Sequence, residues 1–287
     1  MIDRRIFMAS GLMLAFPAIG AAARSAPRFD DLRSKLGPDG RLGLAALDVG
    51  SGRRIAFDAQ SRFAMASTFK LALAGAILAK VDEGRLALAH RLPIQTAHLL
   101  GHAPVIRTAG AGASLSIEQL CAAIVEVSDN GAANMLLEQI GGPASLTRFF
   151  RLCGDQFSRL DRYELALNSN LPGDPRDTTT PGAMVHTMRT LLVDGLLKPE
   201  SRQRLIAWMI RSSRGLDRIR AGLPGGWKAG SKAGTGARGA TNDLVITWPP
   251  GRAPVLIACY LDSPNSTDEV RAAVHREVAR RIGAAFA

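Results

Sequence analysis

Cysteine is scarce in this sequence, and its histidines do not cluster. The 287 residues include five histidines and three cysteines, Cys121, Cys153 and Cys259. The cysteines lack C-x-x-C spacing and have no histidine cluster nearby, which argues against a metal site, and we expect neither a metal nor a cofactor. Three cysteines cannot all pair within one chain. One disulfide stays open as an alternative, and buried free thiols are our preferred interpretation.

Aromatic residues are also scarce, at 5% of the chain, although the net charge is +11. A strongly basic protein is a candidate for nucleic-acid binding. The basic residues are scattered, however, and no nucleic-acid motif accompanies them. We therefore expect a solvated basic surface and no nucleic-acid partner.

No apolar run in the sequence is long enough for a stable membrane span. The run Ile6–Ile19 is interrupted by glycine and proline, follows Arg4-Arg5 and precedes the small residues Ala21–Ala23. This pattern predicts a signal peptide over residues 1–23. The arginine pair resembles a twin-arginine export signal, and an ordinary secretory signal is the alternative. We expect a mature periplasmic or secreted chain that starts near residues 24–26 and has no stable membrane insertion.

The order of periodic segments predicts strands, then many helices, then strands and a last helix. A β-hairpin is predicted over residues 41–57, and later strands are predicted over residues 227–235, 243–248 and 255–260. We therefore expect an α/β (α+β) fold with an antiparallel sheet built from both termini and flanked by helices. The predicted domains are an α/β domain, residues 24–60 plus 211–287, and an inserted all-helical domain, residues 61–210.

The middle of the chain is predicted to be helical. The apolar run Leu71–Val81, bounded by Gly84, is typical of a buried helix, and residues 85–113 are loop-rich. Capping boxes at Ser116–Gln119 and Ser266–Glu269 are expected to start two helices. Further helices are predicted over residues 131–140, 144–152, 181–194 and 199–210.

Residues 155–180 form a long polar segment without periodicity. Long loops inside compact domains are uncommon and usually functional. Arg162 and Asp177 flank this segment. We expect the two side chains to pair and close the neck of the loop.

Ser67 and Lys70 are three residues apart at the start of the buried helix. Residues i and i+3 share one helical face, so the Lys70 amine can reach the Ser67 hydroxyl. Ser67 is expected in the first turn, where free backbone N–H groups favour negative charge. A serine beside a base is a candidate nucleophile.

Four motifs follow one another in the chain: Ser67-x-x-Lys70, Ser128-Asp129-Asn130, the segment Arg162-Tyr163-Glu164 through Asn168, and Lys232-Ala233-Gly234. Together they resemble the class A serine β-lactamases, over essentially the whole mature chain. The resemblance implies a β-lactamase/transpeptidase-like fold. It also implies hydrolysis of penicillins and cephalosporins through an acyl-serine, and hence antibiotic resistance.

The resemblance assigns the catalytic roles. Ser67 carries the acyl group, and its base is either Lys70 or Glu164 acting through a water, a choice that the sequence leaves open. Glu164, with Asn168, is expected to activate the water that hydrolyses the ester. Ser128 is expected to pass a proton to the lactam nitrogen, with a helix N-cap as its structural alternative.

The substrate-binding roles follow from the same resemblance. Asn130 is expected to brace the cleft or to contact the substrate's side-chain amide. Lys232, in its motif with Gly234, is expected to attract the substrate carboxylate. Backbone N–H groups of Ser67 and Thr235 are expected to bind the oxyanion.

Two departures from the family pattern concern the carboxylate pocket. Ala233 replaces the usual threonine or serine, which removes a hydrogen bond worth about 0.5–1.5 kcal/mol unless Thr235 compensates. Thr241 stands where the family often has a cation, and Arg218 is expected to supply a guanidinium instead, with a surface arginine as the alternative. His102 matches an aromatic position at the cleft entrance. Cys121 matches a position that is sometimes disulfide-bonded, but its partner position carries no cysteine.

Two other functions share part of this pattern. A penicillin-binding D-Ala-D-Ala peptidase has motifs similar to those of Ser67, Ser128 and Lys232, and a non-catalytic penicillin sensor acylates without turnover. Glu164 and Asn168 favour the hydrolase over both. We expect a monomer whose partner is a small-molecule β-lactam.

Overall fold

The computed structural model describes residues 27–287, so the predicted signal peptide lies outside the described residues. The strands are β1 (Arg41–Asp48), β2 (Arg54–Phe57), β3 (Phe63–Ala64), β4 (Arg91–Pro93), β5 (Ser114–Ser116), β6 (Thr178–Thr179), β7 (Lys228–Thr235), β8 (Thr241–Trp248) and β9 (Val255–Asp262). The helices are α1 (Asp30–Ser34), α2 (Phe69–Asp82), α3 (Pro104–Ala109), α4 (Ile117–Glu126), α5 (Asn130–Ile140), α6 (Pro143–Leu152), α7 (Pro181–Leu192), α8 (Pro199–Arg211), α9 (Ile219–Gly222) and α10 (Asp268–Phe286).

Strands from both ends of the chain form one five-stranded antiparallel sheet, in the order β2-β1-β9-β8-β7. The strands β8 and β9 are longer than predicted, because pairing continues to Thr241 opposite Leu261 and to Asp262 opposite Arg41. Together with the helical insert, this sheet confirms the predicted fold class. The domain limits at residues 60 and 211 stay a prediction.

Helices cover both faces of the sheet. One apolar cluster packs α1, α9 and α10 against alternate sheet residues such as Leu44, Val245 and Ile257. A larger cluster packs the intervening residues, such as Leu244 and Leu256, against the helical part of the molecule. Burial on both faces explains why β1 and β9 are almost continuously apolar.

Helix α2 is the centre of the helical part, as its composition predicts. Every residue from Phe69 to Ala79 is buried, so the helix has no solvent-facing side along that length. The helix is preceded by a 3₁₀ turn, Ala66–Thr68, and followed by Gly84, whose φ of +73° suits glycine. Lys70 is therefore held in a fully packed helix, whereas Ser67 lies in the 3₁₀ turn just before it and not in the first turn of the helix, where it was predicted.

The structure corrects three details of the predicted helices. The α4 capping box is confirmed, because Ser116 Oγ accepts from Gln119 N. The second box is wrong, since Thr267 caps α10 and Ser266 Oγ donates to Leu36 O instead. The N-cap of α5 is Asp129 and not Ser128, and the loop-rich segment 85–113 contains the unpredicted short helix α3.

The three cysteines are all buried and unpaired, and burial raises the pKa of each thiol. Within residues 27–287, no helix combines the length and the apolar character needed to cross a membrane.

Candidate active site

Ser67 lies in the 3₁₀ turn, where strand β7 comes very close to it. A Cβ atom on Gly234 would lie 3.0 Å from Met65 O and 3.2 Å from Ser67 N, so a side chain here would require the turn to shift by a few tenths of an ångström. Asn242 donates from the sheet to Ala64 O and Met65 O at 2.9 and 3.1 Å. The turn that carries Ser67 is therefore fixed against the sheet, and Ser67 itself is half-buried.

Lys70 occupies the centre of the site and is completely buried. Its Nζ donates to Ser67 Oγ at 3.1 Å, to Ser128 O at 2.9 Å and to Asn130 Oδ1 at 2.5 Å. It also forms an ion pair with Glu164 Oε1 at 2.9 Å. Burial lowers the pKa of Lys70, and the Glu164 carboxylate opposes that shift. Lys70 is thus in direct reach of the nucleophile and of one candidate base.

Ser128 lies between the two buried lysines of the site. Its Oγ is 3.5 Å from Lys70 Nζ and 3.1 Å from Lys232 Nζ. Its backbone has a φ of +64°, while the next residue, Asp129, caps α5 by accepting from Ala132 N at 2.8 Å. Because Asp129 satisfies the helix end, the Ser128 hydroxyl stays available in the cleft.

The loop 155–180 holds Glu164 over Lys70. Arg162 Nε donates to Asp177 Oδ2 at 2.5 Å, which confirms the predicted pair at the neck of the loop. Asn168 Nδ2 donates to Glu164 Oε2 at 2.6 Å. The Glu164 side chain is fully buried in its ion pair with Lys70. Both carboxylate oxygens are therefore oriented by a neighbour.

Asn134 is a site residue that the sequence analysis missed. From α5, it donates to Glu164 O at 3.0 Å and accepts from Glu164 N at 2.9 Å. Both backbone groups of Glu164 are thereby bound by one amide. The only signal in the sequence was a polar residue four positions after Asn130, on the same face of the helix.

Lys232 is buried within β7, three residues before the strand ends, and its amine reaches Ser128. Its Nζ donates to Ser128 Oγ at 3.1 Å and to Ala233 O at 2.6 Å. Burial lowers the pKa of Lys232 well below its ordinary value, and the nearby charge of Lys70 lowers it further. Both Lys70 and Lys232 are therefore buried amines that are held by hydrogen bonds inside the protein.

Arg218 lies across the end of β7, next to Ala233. Its Nη1 donates to Gly234 O at 2.8 Å and to Asn242 O at 2.9 Å, and its Nη2 donates to Thr235 Oγ1 at 2.7 Å. These bonds locate the guanidinium at the rim of the cleft. Burial lowers the pKa of Arg218.

A cleft of about 180 Å³ brings most of the predicted residues together. His102 lines it, with its Nε2 3.1 Å from Val127 O. Asn130 Nδ2 donates to Gly101 O at 2.8 Å, which ties the cleft to the loop before α3. The other lining residues are Ser67, Ser128, Asn168, Arg214, Gly215, Arg218, Ala233, Gly234 and Thr235.

Three predicted residues, Lys70, Glu164 and Lys232, are buried beside the cleft and do not line it. Two lining residues, Arg214 and Gly215, were not predicted. A larger cavity of about 530 Å³ lies elsewhere and contains none of the predicted site residues. In the described part of the chain, no group of His, Cys, Asp and Glu side chains is arranged to hold a metal ion.

The arrangement supports acyl transfer. A hydroxyl contacts an amine, a second hydroxyl lies between two amines, and a carboxylate is fixed on the opposite side of the first amine. Such a network moves protons to and from a serine nucleophile. The cationic groups at the end of β7 suit a substrate that carries a carboxylate.

Comparison with known proteins agrees with this geometry. Residues 29–286 match the model of the beta-lactamase enzyme family. The chain is 42% identical to the beta-lactamase AST-1 of Nocardia asteroides, over 84% of this chain and 77% of that protein. It is 40% identical to the beta-lactamase L2 of Stenotrophomonas maltophilia, over 95% and 89% of the two chains.

Solved structures are also similar. An ancestral class A beta-lactamase superimposes with a TM-score of 0.87 at 47% identity, covering 90% of this chain and 98% of the other. A beta-lactamase from Xanthomonas campestris gives a TM-score of 0.85 at 46% identity, with the same coverage. The chain belongs to the beta-lactamase enzyme family, as a class A serine β-lactamase.

Proposed function

We propose that this protein hydrolyses the β-lactam ring of penicillin- and cephalosporin-type antibiotics through an acyl-Ser67 intermediate, and so confers resistance. One observation carries the proposal. The fully buried Glu164 carboxylate is 2.9 Å from Lys70 Nζ, and the same nitrogen is 3.1 Å from Ser67 Oγ. A deacylating carboxylate is therefore part of the same proton network as the nucleophile.

Acylation begins when Ser67 Oγ attacks the lactam carbonyl. The hydroxyl proton goes either to Lys70 in its neutral form or through a water to Glu164, and both routes suit the geometry. The C–N bond then breaks, and the nitrogen takes a proton from Ser128 Oγ. Lys70 Nζ, 3.5 Å from Ser128 Oγ, can return that proton.

Deacylation requires a water that attacks the ester carbonyl. Glu164 takes a proton from that water, and Asn168 holds the carboxylate through its 2.6 Å hydrogen bond. The tetrahedral intermediate collapses with cleavage of the bond to Ser67 Oγ, which regains its proton. The product is the ring-opened carboxylic acid.

The substrate is held at both ends of the reacting bond. Backbone N–H groups of Ser67 and Thr235 stabilise the developing oxyanion. Lys232 and Arg218, with the Thr235 hydroxyl, attract the carboxylate of the fused ring. Asn130 contacts the acylamino side chain from the opposite wall.

The same carboxylate separates this function from its two rivals. A D-Ala-D-Ala peptidase or a penicillin sensor is acylated and lacks rapid hydrolysis of the acyl-enzyme. The ordered contacts of Glu164 with Lys70, Asn168 and Asn134 support turnover instead.

Turnover of a chromogenic cephalosporin by the purified chain, from residue 24 onward, tests the proposal. We expect many equivalents of product for each equivalent of enzyme. A burst of one equivalent followed by no turnover would favour the sensor or the peptidase.

We also propose that the mature protein is a periplasmic or secreted monomer. The support is the signal-like sequence at residues 1–23. Fractionation of expressing cells, with sedimentation of the purified protein, tests both statements. Activity retained in the cytoplasm of intact cells would contradict the first.

A further inference from the structure

A second cavity adjoins the catalytic cleft at His102 and Arg214, which line both. Its volume is about 470 Å³. Arg107, in the last turn of α3, and Val127, the residue before Ser128, also line it. We call this space the side cavity, defined by His102, Arg107, Val127, Ser213 and Arg214.

Two arginines give the side cavity an unbalanced positive charge. Within residues 27–287, the exposed side chains of Arg107 and Arg214 form no ion pair and donate no hydrogen bond. Two carboxylates are close to its wall in the chain: Glu126 is paired with an arginine, whereas Asp129 is bound by backbone N–H groups and partly opposes the effect of Arg214 at His102. Glu126 accepts from Arg211 Nε at 2.8 Å, and Asp129 accepts from backbone N–H groups at 2.8 and 3.1 Å.

The charge of Arg214 extends into the catalytic cleft. Burial is the main cause of the lowered pKa of His102 and of Lys232, and Arg214 adds to the lowering in both. The positive charge of Arg214 makes a further positive charge on a group in the cleft unfavourable. The same potential favours a negative charge on a bound molecule.

The position of the side cavity indicates which part of a substrate reaches it. Ser128 serves the lactam nitrogen, and its chain neighbour Val127 is in the wall of the side cavity. The fused ring is attached to that nitrogen, and its carboxylate is directed to Lys232 and Arg218. In this orientation a substituent on the ring is expected to extend toward Arg214, which lines both spaces, and the acylamino side chain toward Asn130.

We propose that the side cavity is a subsite for a negatively charged substituent on the fused ring of a cephalosporin-type substrate. The proposal rests on the proposed function of the same cleft. Arg107 and Arg214 bind a sulfonate, a carboxylate or an acidic heterocycle at this place. Substrates with a second negative charge are then preferred to neutral or cationic ones.

Three cephalosporins with one common acylamino side chain test this preference. Their ring substituents end in a sulfonate, a neutral methyl group or a pyridinium. The measured quantity is kcat/KM for each, expressed relative to the methyl compound in the same preparation. A misfolded fraction lowers all three values equally and cancels from the ratio.

We expect the sulfonate-to-methyl ratio to fall about three-fold in Arg107→Gln and in Arg214→Gln, and roughly ten-fold in the double variant. The matched control is Arg54→Gln, which removes the same charge from an exposed position on the edge strand β2. We expect the control to leave the ratio unchanged. The ratio in the unmodified protein should fall as salt is added, since exposed charges are screened.

Charge reversal gives a second, independent readout. We expect Arg214→Glu to invert the order, so that the pyridinium compound is hydrolysed faster than the sulfonate. An unchanged ratio in the double variant would overturn the subsite, as would an equal change in Arg54→Gln. Failure of the proposed function is distinguishable, because the unmodified protein would then hydrolyse none of the three compounds.

Discussion

At the scale of single residues, burial of charge governs the chemistry of the site. Lys70 and Lys232 are fully buried on either side of Ser128 Oγ, at 3.5 and 3.1 Å. Burial lowers the pKa of both lysines, and for Lys232 the charge of Lys70 is the next cause. Lys70 Nζ contacts both Ser67 Oγ and Ser128 Oγ, and its lowered pKa favours the neutral amine that a proton relay between the two hydroxyls requires.

Asp243 is another buried charge, on the sheet behind the cleft. Burial raises its pKa to about 7, and Arg218 opposes that shift. Charged or titratable neighbours face it from several elements, namely Arg220 on α9 and Lys232 on β7. Among the described residues its Oδ1 has no hydrogen-bond partner, while Oδ2 accepts from Ile219 N at 3.3 Å.

The raised pKa predicts how Asp243 affects stability. Between about pH 4 and pH 7 the folded protein keeps a proton on Asp243 that the unfolded chain releases, so its contribution falls as pH rises. Relative to Asp243→Asn, the unmodified protein should lose roughly 1–4 kcal/mol of unfolding free energy across this window, at about 1.4 kcal/mol per pKa unit. Denaturant unfolding of both proteins at several pH values measures the difference.

The difference between the two proteins is the meaningful quantity, because His275 titrates in the opposite sense. Burial lowers the pKa of His275 to about 3, so its contribution rises with pH between about 3 and 6.5. Subtraction removes that contribution. A difference that is constant from pH 4 to pH 8 would contradict the raised pKa of Asp243.

At the scale of elements, the loop 155–180 positions Glu164, the proposed base for deacylation. Asp177 links its two ends by accepting from Arg162 Nε at 2.5 Å and from the backbone N–H groups of Asp161 and Arg162 at 2.7 and 3.0 Å. Asn134 holds Glu164 from outside the loop. The position of Glu164 thus depends on a few side-chain contacts.

Arg162→Ala is expected to slow deacylation by roughly ten- to a hundred-fold, since a displacement of about 1 Å is enough for such a loss. The control is Arg176→Ala in the same loop, because Arg176 is exposed and pairs with Asp174, not with the Asp177 carboxylate at the neck. Pre-steady-state kinetics with a penicillin separates acylation from deacylation. Equal rates for the two variants would mean that the neck of the loop does not position Glu164.

Apolar runs and capping boxes predicted the helices whose ends depend on neighbouring residues in the sequence. The apolar run after Ser67 identified a buried helix, and the Ser116 capping box identified the start of α4. Ser266 failed as a cap because its hydroxyl donates to Leu36 O from a distant part of the chain, which leaves Thr267 at the helix end. A capping-box pattern cannot predict a hydrogen-bond partner that is distant in the sequence and becomes a neighbour only in the folded protein.

At the scale of the whole molecule, the cleft forms where the sheet meets the helical insert. Ser67, Ser128, Glu164 and Lys232 come from four separate segments. The motifs nevertheless predicted that these residues meet at one site. Asn134 and Arg214 were missed because each is a single polar residue outside the four motifs, Asn134 within the apolar run of α5 and Arg214 in the loop before α9. Their roles depend on tertiary placement, which spacing along the chain does not encode.

The central claim is that Ser67 carries the acyl group and that Glu164 is the base for its hydrolysis. Intact-protein mass spectrometry after mixing with a penicillin tests it most directly. We expect Glu164→Ala to accumulate one covalent adduct, with the mass of the whole penicillin, on the peptide that contains Ser67. Ser67→Ala should form no adduct and show no hydrolysis. Normal turnover by Glu164→Ala, or an adduct on another residue, would contradict the account.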